Sequence, residues 1–188
     1  FPDMTDSNRE EAVETLYALG IMVGDKDTGL FRPDDAIKRS EVAKIAVAAL
    51  GLTSVAEGST HTSKYPDVSK DYWGVGYINV ATSQGIVIGD TDGNFRPEDT
   101  ITYEEAMTIL VRMIGHEPAA LSKGGYSAGY LVVGSENGID KNAKAAANAP
   151  ATRSLVAQMM FNALTVDMME QTSFGDNPEY SIVKDKTL

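Results

Sequence analysis

The chain reads GIVIGDTDGNFRPEDTITYEEAMTILVR from Gly85 to Arg112, and the stretch from Gly20 to Leu50 repeats most of this sequence. Both copies contain Gly-Ile, then Gly-Asp, then Phe-Arg-Pro. Both end in an apolar segment with a glutamate at its start, Glu41 in the first copy and Glu105 in the second. Phe31 and Phe95 mark the same place in the two copies, 64 positions apart. Internal similarity at a fixed spacing indicates a duplicated supersecondary unit. The fold is therefore decided by this unit rather than by any single residue.

Each unit is predicted to consist of a helix, a loop and a second helix. In the first unit, apolar residues at helical spacing predict helices over residues 10–19 and 40–50, each stopped by a glycine. The second unit repeats the pattern, with its second helix over residues 102–114. A third copy is degenerate, because its loop is shorter and has lost Phe-Arg-Pro. The sequence therefore predicts three units of unequal quality.

The unit boundaries are placed at residues 1–52, 65–118 and 119–165. Residues 53–64 are small and polar, which predicts a surface linker. Residues 166–188 repeat nothing earlier, show strand character at 180–183, and are expected to be a linker into a downstream domain. A single unit cannot bury its own apolar face, so the three should pack into one mainly all-α core. Closure of three units predicts approximate threefold symmetry, with grooves between neighbours.

The composition excludes several classes of protein. The chain has 188 residues, of which 43% are hydrophobic, and this is enough for a core. Its net charge of −11 argues against nucleic acid as a partner, because phosphates require a basic face. It has no cysteine, and no apolar run approaches the roughly 20 residues of a membrane helix. We therefore expect no membrane insertion by this chain. Because the sequence opens on Phe rather than Met, we also expect a processed or excised fragment.

Catalytic, metal and cofactor sites are not predicted. His61 and His116 are the only histidines, and neither has the spacing of a catalytic triad or a metal-ligand set. Asp25 and Asp90 each begin a loop that is similar to a calcium loop, but the twelfth position lacks the required glutamate. These loops are predicted to be turns, with metal binding as the lesser alternative. We expect a protein that is not an enzyme and uses no cofactor.

The start of each second helix is the candidate ligand site. Thr102 and Glu105 have the spacing of a capping box, which is incomplete in the other two units. Capping does not explain Arg39 and Arg153, because a cation at a helix start opposes the helix dipole. Free backbone N–H groups together with a guanidinium could instead grip an anion such as a carboxylate. The equally weighted alternative is that each arginine only pairs with a nearby acid.

Two aromatic residues complete the candidate site. Trp73 and Tyr126 occupy the same place in their units, where aromatic residues at helical spacing usually belong to the core. Partial exposure beside a groove would instead let them stack on a sugar ring. The full set of candidate ligand-binding residues is Arg39, Glu41, Trp73, Gln84, Gly85, Glu105, Tyr126 and Arg153.

The motifs resemble those of the S-layer homology domain over residues 1 to about 165. The resemblance rests on Phe/Tyr-Pro-Asp, Gly-Ile-(x)2-Gly-Asp, Asp-Gly-Asn-Phe-Arg-Pro and Ile-Thr-x-x-Glu, together and in this order. The hallmark Thr-Arg-Ala-Glu of that family is matched at residues 38–41, 102–105 and 152–155. This resemblance implies three tandem repeats in a pseudo-threefold helical spindle around a central helix bundle.

The resemblance also implies a function. Such domains hold S-layer and other envelope proteins on the bacterial cell wall non-covalently, so the chain is expected at the cell surface. Their usual partner is a secondary cell-wall polysaccharide, commonly ending in pyruvylated N-acetylmannosamine, whose carboxylate meets the motif arginine in a groove between repeats. Arg39 and Arg153 would grip the carboxylate. Glu41 and Glu105 would accept sugar hydroxyls or fix the helix starts.

Departures from the motif leave alternatives open. Tyr103 replaces the arginine in the second unit and Leu155 replaces the glutamate in the third, so fewer than three competent grooves are expected, with the Arg39 groove the best. A structural module that self-associates in a surface lattice is one alternative. A binder of polyamine-modified peptidoglycan, which would favour acidic grooves, is another.

Overall fold

The fold is mainly helical, as predicted. The computed structural model describes residues 1–5 and 7–188. Its helices are α1 (Ser7–Ala18), α2 (Arg39–Ala49), α3 (Thr53–Gly58), α4 (Val75–Ser83), α5 (Tyr103–Met113), α6 (Glu117–Ser122), α7 (Ala128–Glu136) and α8 (Arg153–Ala163). Its strands are β1 (Met168–Gln171) and β2 (Tyr180–Val183). Within these described ranges, no helix is both long and apolar enough to cross a membrane.

The second helices of the three units, α2, α5 and α8, begin at related caps. At α5 the capping box is complete, since Glu105 N–H donates to Thr102 Oγ1 over 3.4 Å and Thr102 N–H donates to Glu105 Oε2 over 2.8 Å. At α2 only the carboxylate half exists, with Lys38 N–H donating to Glu41 Oε2 over 2.9 Å, because a lysine side chain cannot accept. At α8 only the hydroxyl half exists. The prediction that the box is complete in the second unit alone is confirmed.

Each first helix packs against the second helix of the unit before it. The main pairs are α1 with α8, α4 with α2, and α7 with α5. Leu16, Ile78 and Tyr130 supply the buried face of α1, α4 and α7, respectively. The units are therefore interlocked, and the α1–α8 pair joins the first unit to the last.

Three backbone hydrogen bonds close a ring just before α2, α5 and α8. Ile37 N–H donates to Ala151 O over 2.9 Å, Ala151 N–H donates to Ile101 O over 2.9 Å, and Ile101 N–H donates to Ile37 O over 3.1 Å. All three side chains are buried. Each residue gives one bond to one neighbour and accepts one from the other, so no backbone group of the ring is left unpaired. This cyclic pattern supports the expected threefold closure.

The linker predicted for residues 53–64 is wrong over its first half. Thr53–Gly58 forms α3, which packs against α4 so closely that a Cβ on Gly76 would lie 2.0 Å from Ala56 O. α6 approaches α7 in the same way at Gly129. The small, polar composition concealed a helix that buries one side through Ala56 and leaves the other in solvent.

Residues 166–188 fold onto the helical body. The strand predicted at Tyr180–Val183 is confirmed as β2, which pairs antiparallel with β1. Met169 N–H donates to Ile114 O over 3.0 Å, and His116 Nε2 lies 2.8 Å from Asp167 O. The hairpin therefore contacts the end of α5, because the backbone after α5 offers it hydrogen-bond partners.

Glu117 is a carboxylate held by two donors between α5 and α7. Arg112 Nε donates to it over 2.8 Å, and the Tyr130 hydroxyl donates over 2.5 Å. Burial opposes ionisation of Glu117, but the two donors outweigh it and lower its pKa below the ordinary value. A carboxyl group with a lowered pKa stabilises the fold above its unfolded pKa, and this contribution is lost as the pH falls through the folded pKa.

We expect acid to weaken the fold through this group. The urea concentration at half-unfolding should fall as the pH drops from about 6 to about 3, and Glu117→Gln should make that decline shallower. Glu179→Gln, which changes an exposed glutamate, should keep the wild-type slope. Parallel pH curves for wild type and Glu117→Gln would contradict this role.

Candidate functional site

Two clefts each contain one motif arginine. The Arg39 cleft has a volume of about 580 Å³ and is lined by residues that include Arg39, Ile88, Phe95, Glu105, Thr108 and Tyr126. The Arg153 cleft has a volume of about 140 Å³ and is lined by residues that include Val23, Arg32, Glu41, Lys44, Trp73 and Arg153. Glu41, Trp73 and Arg153 also line an adjoining space of about 270 Å³, so volume does not rank the two grooves.

Each cleft is assembled from all three units. The Arg39 cleft takes its arginine from the first unit, its loop and glutamate from the second, and Tyr126 from the third. The Arg153 cleft takes its arginine from the third unit, its loop and glutamate from the first, and Trp73 from the second. Both clefts therefore exist only in the folded, interlocked chain.

Arg39 braces the loop of the second unit. Its Nε donates to Phe95 O over 2.7 Å, its Nη2 to Ile88 O over 3.1 Å, and its Nη1 to Glu105 Oε1 over 3.3 Å. The guanidinium carbon lies 5.1 Å from the centroid of the Phe95 ring. Only 14% of the side chain is exposed. The contact with Glu105 confirms the acid pair, and the carbonyl contacts add a bracing role.

Arg153 repeats these contacts in the first unit. It donates through Nε to Phe31 O over 2.8 Å, through Nη2 to Val23 O over 2.9 Å, and through Nη1 to Glu41 Oε1 over 3.2 Å. Its side chain is 12% exposed, and burial lowers the pKa of its guanidinium, although Glu41 opposes the shift. An arginine remains protonated at physiological pH. A guanidinium carries five N–H groups, and three of them donate to partners in each cleft, so two have no hydrogen-bond partner among residues 1–5 and 7–188.

The prediction of free N–H groups at the helix starts is wrong. Arg39 N–H donates to Asp99 O over 2.9 Å, and Ser40 N–H donates to Pro97 O over 3.1 Å. The start of α8 is covered in the same way by the loop of the first unit. The helix N-termini are consumed by contacts between units, so any anion must be held by side chains.

An aspartate supports each bracing loop. Asp67 accepts from Phe95 N–H over 2.9 Å and from Arg96 N–H over 2.7 Å, and Arg96 has a φ of 57°. Asp3 makes the same pair of contacts in the first unit. The aspartate therefore fixes the phenylalanine whose carbonyl oxygen accepts from the motif arginine, which is Phe95 for Arg39 and Phe31 for Arg153. Sequence reasoning missed this role, although the separation of 28 residues between the aspartate and the phenylalanine is the same in both copies.

Trp73 and Tyr126 are exposed, so the core prediction for them is wrong. They precede α4 and α7 rather than lying on the buried face of a helix, and they are 53% and 61% exposed. Trp73 lies in the Arg153 cleft beside Lys44, and Tyr126 lies in the Arg39 cleft, where its hydroxyl is 3.4 Å from Glu104 Oε1. Each ring can therefore offer a face to a ligand in its cleft.

Of the other four predicted site residues, two line the clefts and two do not. Glu41 and Glu105 each contact a helix start and an arginine, and so join capping to the clefts. Gln84 and Gly85 lie at the end of α4, and neither belongs to the lining of the two clefts. Their predicted ligand contact is thus not supported by the position of α4.

The equivalent interface of the third unit is filled by side chains. Tyr103 stands in the place of the arginine and is 5% exposed, with its N–H donating to Ala149 O over 2.8 Å. Leu155 stands in the place of the glutamate and is also 5% exposed. Burial and the nearby charge of Asp140 raise the pKa of Tyr103. This interface offers an apolar seam where the other two offer charge, which supports the expectation of fewer than three grooves.

The aspartate-rich loops are turns. Asp25 Oδ1 accepts from Asp27 N–H over 3.0 Å and from Thr28 N–H over 2.9 Å, and the contacts with Thr28 lead the causes that lower the pKa of Asp25. Across residues 1–5 and 7–188, no three acidic, histidine or cysteine side chains are grouped to hold a metal ion. The carboxylate of Asp25 is used to shape the loop.

The sequence is similar to bacterial surface proteins. A family model of the S-layer homology domain matches residues 1–43 and 64–107. The middle cell wall protein of Brevibacillus brevis is 37% identical over 183 residues, and the match covers 97% of this chain and 17% of that protein. The surface layer protein of Brevibacillus choshinensis is 35% identical over 186 residues, covering 97% and 16%. The cellulosome-anchoring protein of Acetivibrio thermocellus is 30% identical over 86 residues, covering 46% and 19%. The chain therefore spans less than a fifth of each of these relatives.

Proposed function

Because residues 1–43 and 64–107 belong to the S-layer homology domain family, we propose that the chain anchors a bacterial surface protein to the cell wall without a covalent bond. The ligand is a secondary cell-wall polysaccharide, bound in the Arg39 and Arg153 clefts. The chain acts at the bacterial cell surface as a binding module rather than an enzyme. Residues 119–165 serve as the third, degenerate repeat, which completes a pseudo-threefold spindle.

The observation that carries the proposal is the recurrence of one set of groups in both clefts. Each set has a fixed guanidinium with two spare N–H groups, a carboxylate that contacts it, and an exposed aromatic ring. A guanidinium suits a carboxylate, a carboxylate accepts sugar hydroxyls, and an aromatic face suits the C–H face of a sugar. These preferences together describe an acidic saccharide better than a peptide or a nucleic acid.

The guanidinium is prearranged for this task. Its position is fixed by two backbone carbonyls, so ligand binding need not order a long side chain. The open N–H groups are suited to a carboxylate of the kind found in a pyruvate ketal. We therefore propose that the bound end of the polymer is pyruvylated.

The proposal is tested by co-sedimentation with purified cell walls before and after the secondary polymer is extracted. We expect the chain to sediment with intact walls and to stay in solution with extracted walls. Sedimentation that persists after extraction would point to peptidoglycan as the ligand. Self-association without sedimentation on either wall preparation would point to an assembly module.

A further inference from the structure

Lys44 distinguishes the two clefts. It lies on α2 at the place that Thr108 occupies on α5. Its Nζ is 5.9 Å from the centroid of the Trp73 ring and 5.8 Å from that of the Tyr77 ring. Thr108 is buried and donates its hydroxyl hydrogen to Glu104 O over 2.8 Å. The Arg153 cleft thus has a cation where the Arg39 cleft has a neutral, satisfied hydroxyl.

Lys44 also differs from the other cations of its own cleft. Arg153 contacts Glu41, and Arg32 contacts Asp25 over 2.9 Å. Over the part of the chain that the structure describes, Lys44 forms no ion pair with a carboxylate. Among the described residues, the contacts of its ammonium group are with the faces of the two aromatic rings.

The cations of the Arg39 cleft are all paired. Besides Arg39 itself, Arg96 contacts Asp90 over 2.8 Å and Arg112 contacts Glu117 over 2.8 Å. An anion entering this cleft therefore meets only arginines whose charge is already balanced by a carboxylate. An anion entering the Arg153 cleft reaches the Lys44 ammonium without breaking an ion pair, and gains a charge-assisted contact.

We propose that the Arg153 cleft is an acid-selective subsite and that Lys44 sets this selectivity. The inference rests on the proposed function and deepens it. The ligand is a sugar residue with an anionic substituent, either a carboxylate or a phosphate. Trp73 contacts the face of the sugar, and Lys44 together with the spare N–H groups of Arg153 contacts the anionic group.

The sequence supplies a reporter for this cleft alone. Trp73 is the single tryptophan of the chain, so its fluorescence reports the Arg153 cleft and not the Arg39 cleft. The titrants are N-acetylmannosamine, its 4,6-pyruvate ketal and its 6-phosphate. The two acidic sugars separate the sources of the negative charge, and the neutral sugar measures stacking without charge.

We expect wild type to bind at least one acidic sugar about tenfold more tightly than the neutral one. Lys44→Thr, which copies Thr108, should remove this preference while leaving the neutral sugar unchanged, and Lys44→Arg should retain it. Lys184→Thr removes one exposed positive charge outside the cleft and should behave as wild type. An unchanged preference in Lys44→Thr, an equal loss for the neutral sugar, or no preference in wild type would overturn the inference.

The two proposals fail differently. If wild type sediments with walls only while the polymer is present, and Lys44→Thr keeps the acidic preference, then wall anchoring stands and the role of Lys44 falls. If wild type ignores the polymer on walls, the proposed function falls, whatever Trp73 reports.

Discussion

Replacing Arg153 by alanine is expected to lower the free energy of unfolding by about 3 kcal/mol. The change leaves Phe31 O, Val23 O and a carboxylate oxygen of Glu41 without their donor in a site where the arginine is 12% exposed. For a chain of this length, such a loss lowers the melting temperature by about 6–12 °C. Calorimetric melting of the purified chain measures the effect.

Arg32→Ala is the matched control. Arg32 lines the same cleft, but its side chain is 52% exposed and its pair with Asp25 lies at the surface. Exposed pairs contribute about 0–1 kcal/mol, so the melting temperature should fall by no more than about 4 °C. If Arg153→Ala and Arg32→Ala have the same melting temperature, then Arg153 does not stabilise the loop of the first unit.

Replacing Gly76 by alanine is expected to destabilise the chain by about 2–3 kcal/mol. The new Cβ would lie 2.0 Å from Ala56 O, and both atoms belong to packed backbone that must move apart. The change separates α3 from α4 and should also expose Ala56, which is buried in the wild type. Urea unfolding of the purified chain gives the loss directly.

Gly58→Ala provides the comparison for this prediction. Gly58 lies in α3, and an added Cβ there meets no atom within 4 Å. The same chemical change should therefore be neutral or stabilising by about 0.5–1 kcal/mol, because alanine favours a helix. Equal unfolding free energies for the two variants would show that the close approach of α3 and α4 is not needed.

The sequence was sufficient to predict those helices in which apolar residues recur at helical spacing. The second helices, such as α5, combine a cap, an apolar stripe and a glycine stop, so their type and place are determined locally. α3 could not be predicted in this way, because its six residues are small and polar and its helical state depends on packing against Gly76. Short helices gain too little from local propensity to be read without their tertiary contacts.

The sequence pointed to residues of the two clefts, but it did not predict the contacts that these residues make. Arg39 and Arg153 were selected because a cation at a helix start needs an explanation, and the structure places each of them in a cleft. Their partners come from other units, so the bracing of Ile88 O and Val23 O cannot be derived from spacing within one unit. The covering of the helix N-terminus by Pro97 O escaped prediction for the same reason.

The exposure of Trp73 and Tyr126 could not be predicted for a similar reason. Both precede a helix by two residues, where a helical period does not yet apply. Their surroundings are set by how α4 packs on α2 and how α7 packs on α5, which is a contact between units. The surroundings of these two side chains therefore cannot be predicted from one repeat alone.

We propose that the Arg39 and Arg153 clefts both bind the wall polymer, and calorimetric titration with released, purified polymer measures this binding. Wild type should bind at two sites per chain, Arg39→Gln and Arg153→Gln should each lose one site, and the double variant should lose both. Circular dichroism at the titration temperature establishes that each variant is folded. Polymer binding of wild-type strength by a folded double variant, or no binding by wild type, would show that the two clefts are not the polymer sites.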